Sequence, residues 1–411
     1  MQDMRSVDFD LTQVAEMGNG ILAKIKAVRE ADPIYWSETN QVWMVTGHKE
    51  LSEGYAGTLP LANFRAPGPA LALLTPQERI ERAPRFNETA KRWLFNMDPP
   101  EHPRLRKLMS KAFGRPVVEQ VRSHARRFIR EALDGLRDGE AVEFVAAVTR
   151  KIPARTILLL LGQDDAIYPR LHRWSLVLNT TGNVNLTHAQ VDEIEQVFSE
   201  LDELFLPEIE KRQKHPGDDF LSALITAEID GERLSTQHLL ATCNLVLIAG
   251  HDTTANTMAL GTVALAQHAG ARDYFRQKPE NIVDAVMEIS RYVAMSTVKS
   301  RRVTEDFVWN GHQLRAGQYV LMFMAGGNHD PNVFPVPEEI DFSRPQDRNM
   351  SFAPGAHHCI GHLLAKMQLS EFFPALVQRF DIELPDDRLD FSGALGFRGL
   401  ETLNVRMKAR A

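Results

Sequence analysis

The sequence predicts a mainly α-helical protein with small β-sheets near each end, and three observations carry that prediction. The 3.6-residue apolar period dominates from about Pro100 to Glu288, as in "RSHARRFIREALDGL" and "VDEIEQVFSELDELFLPEIEKRQ". Ahead of that block, "PIYWSETNQVWMVTGHKEL" alternates apolar and polar residues around an Asn-containing turn, the pattern of a β-hairpin. After Arg291 the texture changes. "TVKSRRVTEDFVWNGHQLRAGQYVLMFM" reads as short strands with Gly turns, followed by a Pro-rich meander from Asp330 to Pro345. A helix resumes after Cys359, and "LETLNVRMKA" reads as a closing strand.

Composition bounds the class. Of 411 residues, 44% are apolar and 25% charged, ordinary for a globular protein. No linker-like run, low-complexity segment or internal repeat divides the chain, so residues 1–411 read as a single domain. A net charge of −7 argues against a nucleic-acid partner. The opening "MQDMRSVDFDLTQ" carries acids and no apolar run, so it reads as neither a signal peptide nor an anchor. No stretch approaches the roughly 18 uninterrupted apolar residues of a spanning helix, so no membrane association and a cytoplasmic location are expected. Cys243 and Cys359 are the only cysteines. Cys243, in "LLATCNLVLIAG", reads as a buried, inert thiol, and a disulfide framework is not expected.

Cys359 sits in "SFAPGAHHCIGHLLAKM", beside His357, His358 and His362. A structural zinc site wants four ligands, commonly from two separated Cys/His pairs, and the second pair is missing here. The C-x-x-C-H attachment of covalent haem is absent. What remains is one thiolate on a metal held mainly by something else, and a haem iron needs just one such axial donor.

The stretch "FAPGAHHCIG" resembles the haem-binding signature of the cytochrome P450 family, F-x-x-G-x-H-x-C-x-G, through Phe352, Gly355, His357, Cys359 and Gly361. Four further motifs follow the family's order: "MDPPEHPRLRKLM", "AGHDTT" from Ala249 to Thr254, the E-x-x-R pair Glu288 and Arg291, and the strand-and-meander region from Ser300 to Pro345. Ala353 stands where Gly is commonest, and His358 replaces a frequent Arg. The resemblance implies the P450 fold, a triangular prism of helices around a buried haem. It implies haem b (iron protoporphyrin IX) with the Cys359 thiolate as axial ligand and sole metal ligand. Cys359 is expected to open the following helix, whose N-terminal N–H groups favour the thiolate. Gly355 and Gly361 would let the backbone pass close to the porphyrin.

His102 and Arg106 lie at i and i+4 on one helix face. By resemblance they hold the haem propionates together with Arg301 and His357. Arg301 is preferred to Arg302 because it stands five residues before Asp306, as the family's arginine does before its acid. In "LLATCNLVLIAGHDTTANTMALGTV", Leu245, Ala249 and Thr253 form one stripe at i, i+4 and i+8. A bland core helix explains the apolar members but not Asp252-Thr253-Thr254 in its middle. Thr253 would hold a hydrogen bond near the iron, Asp252 would relay protons, and Gly250 would leave room for dioxygen. Glu288 and Arg291 would be a buried structural pair. Arg104, Lys107 and Lys111 form a separate basic stripe on the His102 helix, read as the face that meets a redox partner.

The expected activity is a soluble, bacterial-type monooxygenase using O2 on a small hydrophobic organic substrate. Electrons would come from NAD(P)H through a ferredoxin and its reductase, since no flavin or iron–sulfur domain is seen in the chain. A monomer is expected. One rival is an H2O2-driven peroxygenase, whose relatives typically lack the acid–alcohol pair that Asp252 and Thr253 supply. The other is a non-enzymatic haem binder or electron carrier. By resemblance the pocket lid comes from residues about 60–95 and 170–200, with "PALALLTP" and "SLVLNTTGNV", and the floor from Val293–Val298 and Leu395–Phe397. These mainly apolar stretches suggest a terpenoid, polyketide, fatty-acid derivative or aromatic compound.

Overall fold

The computed structural model describes residues 7–13, 18, 20–63, 74–182, 186–277, 280–386, 388–392 and 395–410. "PALALLTP" lies largely outside them, as do the last two residues of "SLVLNTTGNV". The chain forms two compact units, Met1–Ala62 with Arg126–Lys151 and Thr253–Ala411, and Asn63–Ala125 with Ile152–Asp252.

In the first unit the expected hairpin pairs Ile34–Ser37 with Val42–Val45, Ile34 opposite Val45. Its second strand continues parallel to Tyr319–Met322, which pairs antiparallel with Lys299–Val303, and Leu61–Ala62 closes the five-stranded sheet. One face buries Trp43, Val45, Tyr55, Val303, Val320 and Met322 in a common cluster. Burying each such side chain fully contributes about 1.5–3 kcal/mol. That cluster fixes the strand from which Lys299 and Arg301 project.

The helix His362–Arg379 buries Phe372, Phe373, Leu376 and Val377. A Cβ at Gly261 would lie 2.4 Å from the Phe373 ring, so the long Thr236–Gln267 helix approaches this helix at a position only glycine permits. "LETLNVRMKA" forms two strands rather than one. Leu400–Thr402 pairs with Asp390–Phe391, and Asn404–Ala409 pairs with Phe380–Glu383 and Ala141–Glu143. The reason is a phase slip. Leu400 is buried, but so are Leu403, Val405 and Met407, which puts the two segments on opposite pleats.

The second unit is helical, as the period from Pro100 onward predicts. The helix His188–Lys214 opens on a capping box in which Thr187 and Gln190 each satisfy the other's backbone N–H. Phe86 stacks on Phe198 with centroids 5.2 Å apart, and Phe113 meets Phe220 edge-on at 4.7 Å. One element is an addition to the sequence reading. Glu228–Ile229 and Glu232–Arg233 form a small hairpin around Asp230-Gly231, both with positive φ. Asp-Gly is a strong short-range signal for such a turn.

Candidate active site

The Cys359 loop hangs on its own backbone. Cys359 N–H donates to Phe352 O at 2.8 Å, and His358 N–H to Gly355 O at 3.1 Å. The helix begins at His362, three residues later than expected. The intervening turn is closed by His362, whose N–H reaches Cys359 O at 3.3 Å and whose Nδ1 lies 2.9 Å from the same oxygen. His358 and His362 stack edge-on at 4.5 Å. These histidines shape the loop, and no cluster of three or more His, Cys, Asp or Glu suited to a metal occurs among the described residues. Cys359 itself is exposed.

Ala353 takes the left-handed conformation at φ 56°, the strain expected where Gly is usual. Gly355 has a close backbone neighbour: at φ +76°, its Cβ would lie 2.3 Å from Tyr55 O. At Gly361 a Cβ would meet nothing within 4 Å.

Arg301 is buried and donates to Ser300 O at 2.9 Å, with its guanidinium 5.0 Å above the Tyr55 ring. The buried Tyr55 hydroxyl has no hydrogen-bond partner among the described residues. Burial pushes it up to about 12, with Arg301 opposing. Thr253 and Phe352 line one cavity of ≈ 30 Å³ with Thr257, Ser290, Ser296 and Ser351. His357 is half-buried in the short turn Gly355–His357.

Glu288 and Arg291 are fully buried and bidentate, both contacts 2.8 Å. Arg291 also donates to the carbonyls of Asn328, Pro337 and Glu339 at 2.8–2.9 Å, and Asp341 N–H donates to Glu288 at 3.0 Å. The pair thereby fastens the helix Ile282–Val293 to the meander.

In the second unit, His102 is buried on the helix Glu101–Ala112, with half-buried Arg106 one turn on. Burial lowers the His102 pKa and Arg106 lowers it further, against Asp98. Of the basic stripe, Arg104 pairs with Glu232 at 2.6 Å and Lys111 donates to Glu228 O at 2.5 Å. The Asp230-Gly231 hairpin thus occupies two of its three cations. Lys107 is exposed and forms no ion pair among the described residues.

On the Thr236–Gln267 helix, Ala249 is exposed and Leu245 half-buried among buried neighbours; Thr253, two turns from Leu245, is also half-buried. Gly250 also serves packing, since a Cβ there would lie 2.6 Å from Ile157 Cδ1. Asp252 accepts a short hydrogen bond from Ser175 Oγ at Oδ2. His251 Nε2 lies 3.2 Å from its Oδ1, and His251 Nδ1 lies 2.7 Å from Leu247 O. A carbonyl only accepts, so Nδ1 carries hydrogen, and Nε2 faces the Asp252 carboxylate. Val293 is buried at the end of its helix, where its carbonyl accepts from Arg398 Nη1.

Comparison with known proteins gives this geometry its context. The family model for cytochrome P450 matches residues 166–396. Mycinamicin IV hydroxylase/epoxidase of Micromonospora griseorubida is 32% identical over 386 residues, which cover 92% of each chain. The chain belongs to the cytochrome P450 family. It is a cytochrome P450 monooxygenase. Polyketide biosynthesis cytochrome P450 PksS of Bacillus subtilis is 32% identical over 317 residues, 75% of this chain and 76% of its own. The crystal structure of P450BioI in complex with hexadec-9Z-enoic acid ligated acyl carrier protein matches with a TM-score of 0.85 and 25% identity, over 96% of this chain and 100% of that one. No helix among the described residues is long and apolar enough to cross a membrane.

The P450 family's haem suits the residues present. Cys359 offers one soft donor, and the buried, orphaned Tyr55 hydroxyl beside Arg301 suits a carboxylate such as a propionate. Sequence reasoning missed Tyr55, Ser175 and His251. His251 stands in the quoted "AGHDTT", but Tyr55 and Ser175 lie far from any motif and only folding brings them to their partners.

Proposed function

We propose that this chain is a haem-thiolate monooxygenase that inserts one atom of O2 into a mid-sized, mainly hydrophobic organic substrate by hydroxylation or epoxidation. The observation that carries the reading is the exposed Cys359 thiol, on a residue whose backbone N–H is held by Phe352 O, in a chain of this family. Bound haem b, ligated by Cys359, would supply an iron that binds dioxygen, the thiolate favouring O–O cleavage. By resemblance Arg301, His357, His102 and Arg106 are the groups for its propionates, and the Tyr55 hydroxyl beside Arg301 joins them. Phe352 and the glycines Gly355 and Gly361 shape the loop.

The chain's own chemistry is proton handling. Asp252 lies between the His251 imidazole and the Ser175 hydroxyl, and Thr253 is the hydroxyl next along the helix. Such positioned transfers contribute about 10²–10⁴-fold to rate. Leu245, Ala249 and Val293 supply apolar contact to the substrate.

Residues 1–411 act as one monomeric, cytoplasmic domain, reduced by NAD(P)H through a ferredoxin reductase and ferredoxin. Ferredoxin docks on the basic stripe of the Glu101–Ala112 helix, with Lys107 as an exposed cation beside Arg104 and Lys111. The names of the mycinamicin and polyketide relatives support a substrate from secondary metabolism. The test is incubation with NADPH, a surrogate ferredoxin and reductase, isotopically labelled dioxygen and a panel of terpenoids, polyketides and fatty acids. One labelled oxygen per product molecule is expected. Product formed with H2O2 alone, and none with O2 and reductant, would contradict the reading.

A further inference from the structure

Strand Lys299–Val303 alternates its side chains, so Lys299 shares the inward face with Arg301 and Val303, while Ser300 and Arg302 face out. Lys299 follows directly on Val293–Val298, which by resemblance forms one segment of the pocket floor. Its ammonium lies 4.1 Å over the ring of Phe397, which belongs to the other floor segment. The two segments are joined by the Ser296–Phe397 bridge and by Thr297 N–H donating to Gly396 O at 3.1 Å. Lys299 therefore stands where both floor segments meet.

Its surroundings lack a carboxylate. Among the described residues no carboxylate and no hydrogen-bond acceptor reaches the ammonium. The side chain is half-buried by surface, yet the ammonium lies deep enough that burial pulls it down to about 8. Arg301 adds repulsion, and Cys359 opposes it. A cation–π contact offsets part of the cost of desolvating a cation, but an anion offsets it better. Two haem propionates already have Arg301 and Arg106 assigned to them, leaving Lys299 as a surplus cation.

We propose that Lys299 is a carboxylate receptor in the pocket floor, and that the substrate is a hydrophobic carboxylic acid. This rests on the monooxygenase reading above. The shared chemistry is a carboxylate, from either the substrate or a haem propionate, and the substrate is favoured by the Phe397 contact with the second floor segment.

The test is a spectral titration of the haem-loaded protein with octanoic, dodecanoic and hexadecanoic acids and their methyl esters. Wild type should bind at least one acid about tenfold or more tightly than its ester, as expected for a charge-assisted contact. Lys299→Met should lose that preference while Lys299→Arg keeps it, both with normal haem content. If no acid is preferred in wild type, or if Lys299→Met keeps the preference, the assignment is overturned. Haem loss in Lys299→Met with the preference intact would give the lysine to a propionate instead. The reduced, carbon monoxide-bound spectrum is recorded for each protein. Failure of the thiolate band in wild type sinks the haem-thiolate reading itself, and a normal band without acid preference sinks only the lysine assignment.

Discussion

Glu288 lies fully buried against Arg291, whereas Asp252 keeps 18% of its side chain accessible beside Ser175 and His251. Both are helix carboxylates with every neighbour in place. The difference is in what their partners can release. A guanidinium does not deprotonate in proteins, so the Glu288 network is an anchor. An imidazole and a hydroxyl can pass a proton, so the Asp252 cluster can do work that Glu288 cannot. A helix carboxylate thus serves fixity in one region and, in the proposed reading, proton movement in the other.

The largest test of that contrast is Glu288→Gln, which leaves the Arg291 charge buried without its counter-ion. It should cost about 3–5 kcal/mol in urea unfolding. Asp252→Asn should shift stability by less than ~1 kcal/mol. Equal costs for the two would erase the distinction.

His329 extends the anchored region. Burial holds it down to about 4, and the nearby Arg291 adds to the effect. The unfolded chain binds this proton near the ordinary histidine value and the folded protein does not. Stability is therefore present above about pH 6.5 and is lost as pH falls toward 4, by up to ~3 kcal/mol. His329→Gln should flatten that window of the unfolding curve, and an unchanged slope would remove His329 from it.

On the proton-moving side, Asp252→Asn should lower turnover about 10²-fold with substrate affinity unchanged. Ser175→Ala should act in the same direction but by only a few-fold, with a larger solvent isotope effect, because His251 still holds Asp252. A Ser175→Ala enzyme with wild-type rate and isotope effect would confine the cluster to His251 and Asp252. The smallest effect is at the thiolate loop. Ala353→Gly relieves left-handed strain but loosens the unfolded chain, for a net stabilisation of ~0.5 kcal/mol by thermal unfolding.

Much of this was legible because the relevant signals are local. The helical period, the Asn-containing hairpin and the Cys359 loop are each written within about twenty residues, and so is the phase slip at Thr402, once Leu403 is counted. Charge pairing is less local. Arg104 and Lys111 read as a free basic stripe until the Asp230-Gly231 hairpin, more than a hundred residues on, brings Glu232 and Glu228 against them. Tyr55 under Arg301 and Ser175 against Asp252 are likewise contacts of distant segments, with no periodicity of their own to announce them. Gly250 shows a subtler limit. A small residue in a helix signals close approach, but the sequence does not say whether a ligand or Ile157 makes it.

The central claim is that Cys359 is the sole protein ligand of the haem iron. Its most direct test is the spectrum of the reduced, carbon monoxide-bound protein. Wild type, His357→Ala, His358→Ala and His362→Ala should all show the red-shifted Soret band of a thiolate haem, and Cys359→His should bind haem without it. A histidine variant that loses the band with haem still bound, or a Cys359→His protein that keeps it, would contradict the account.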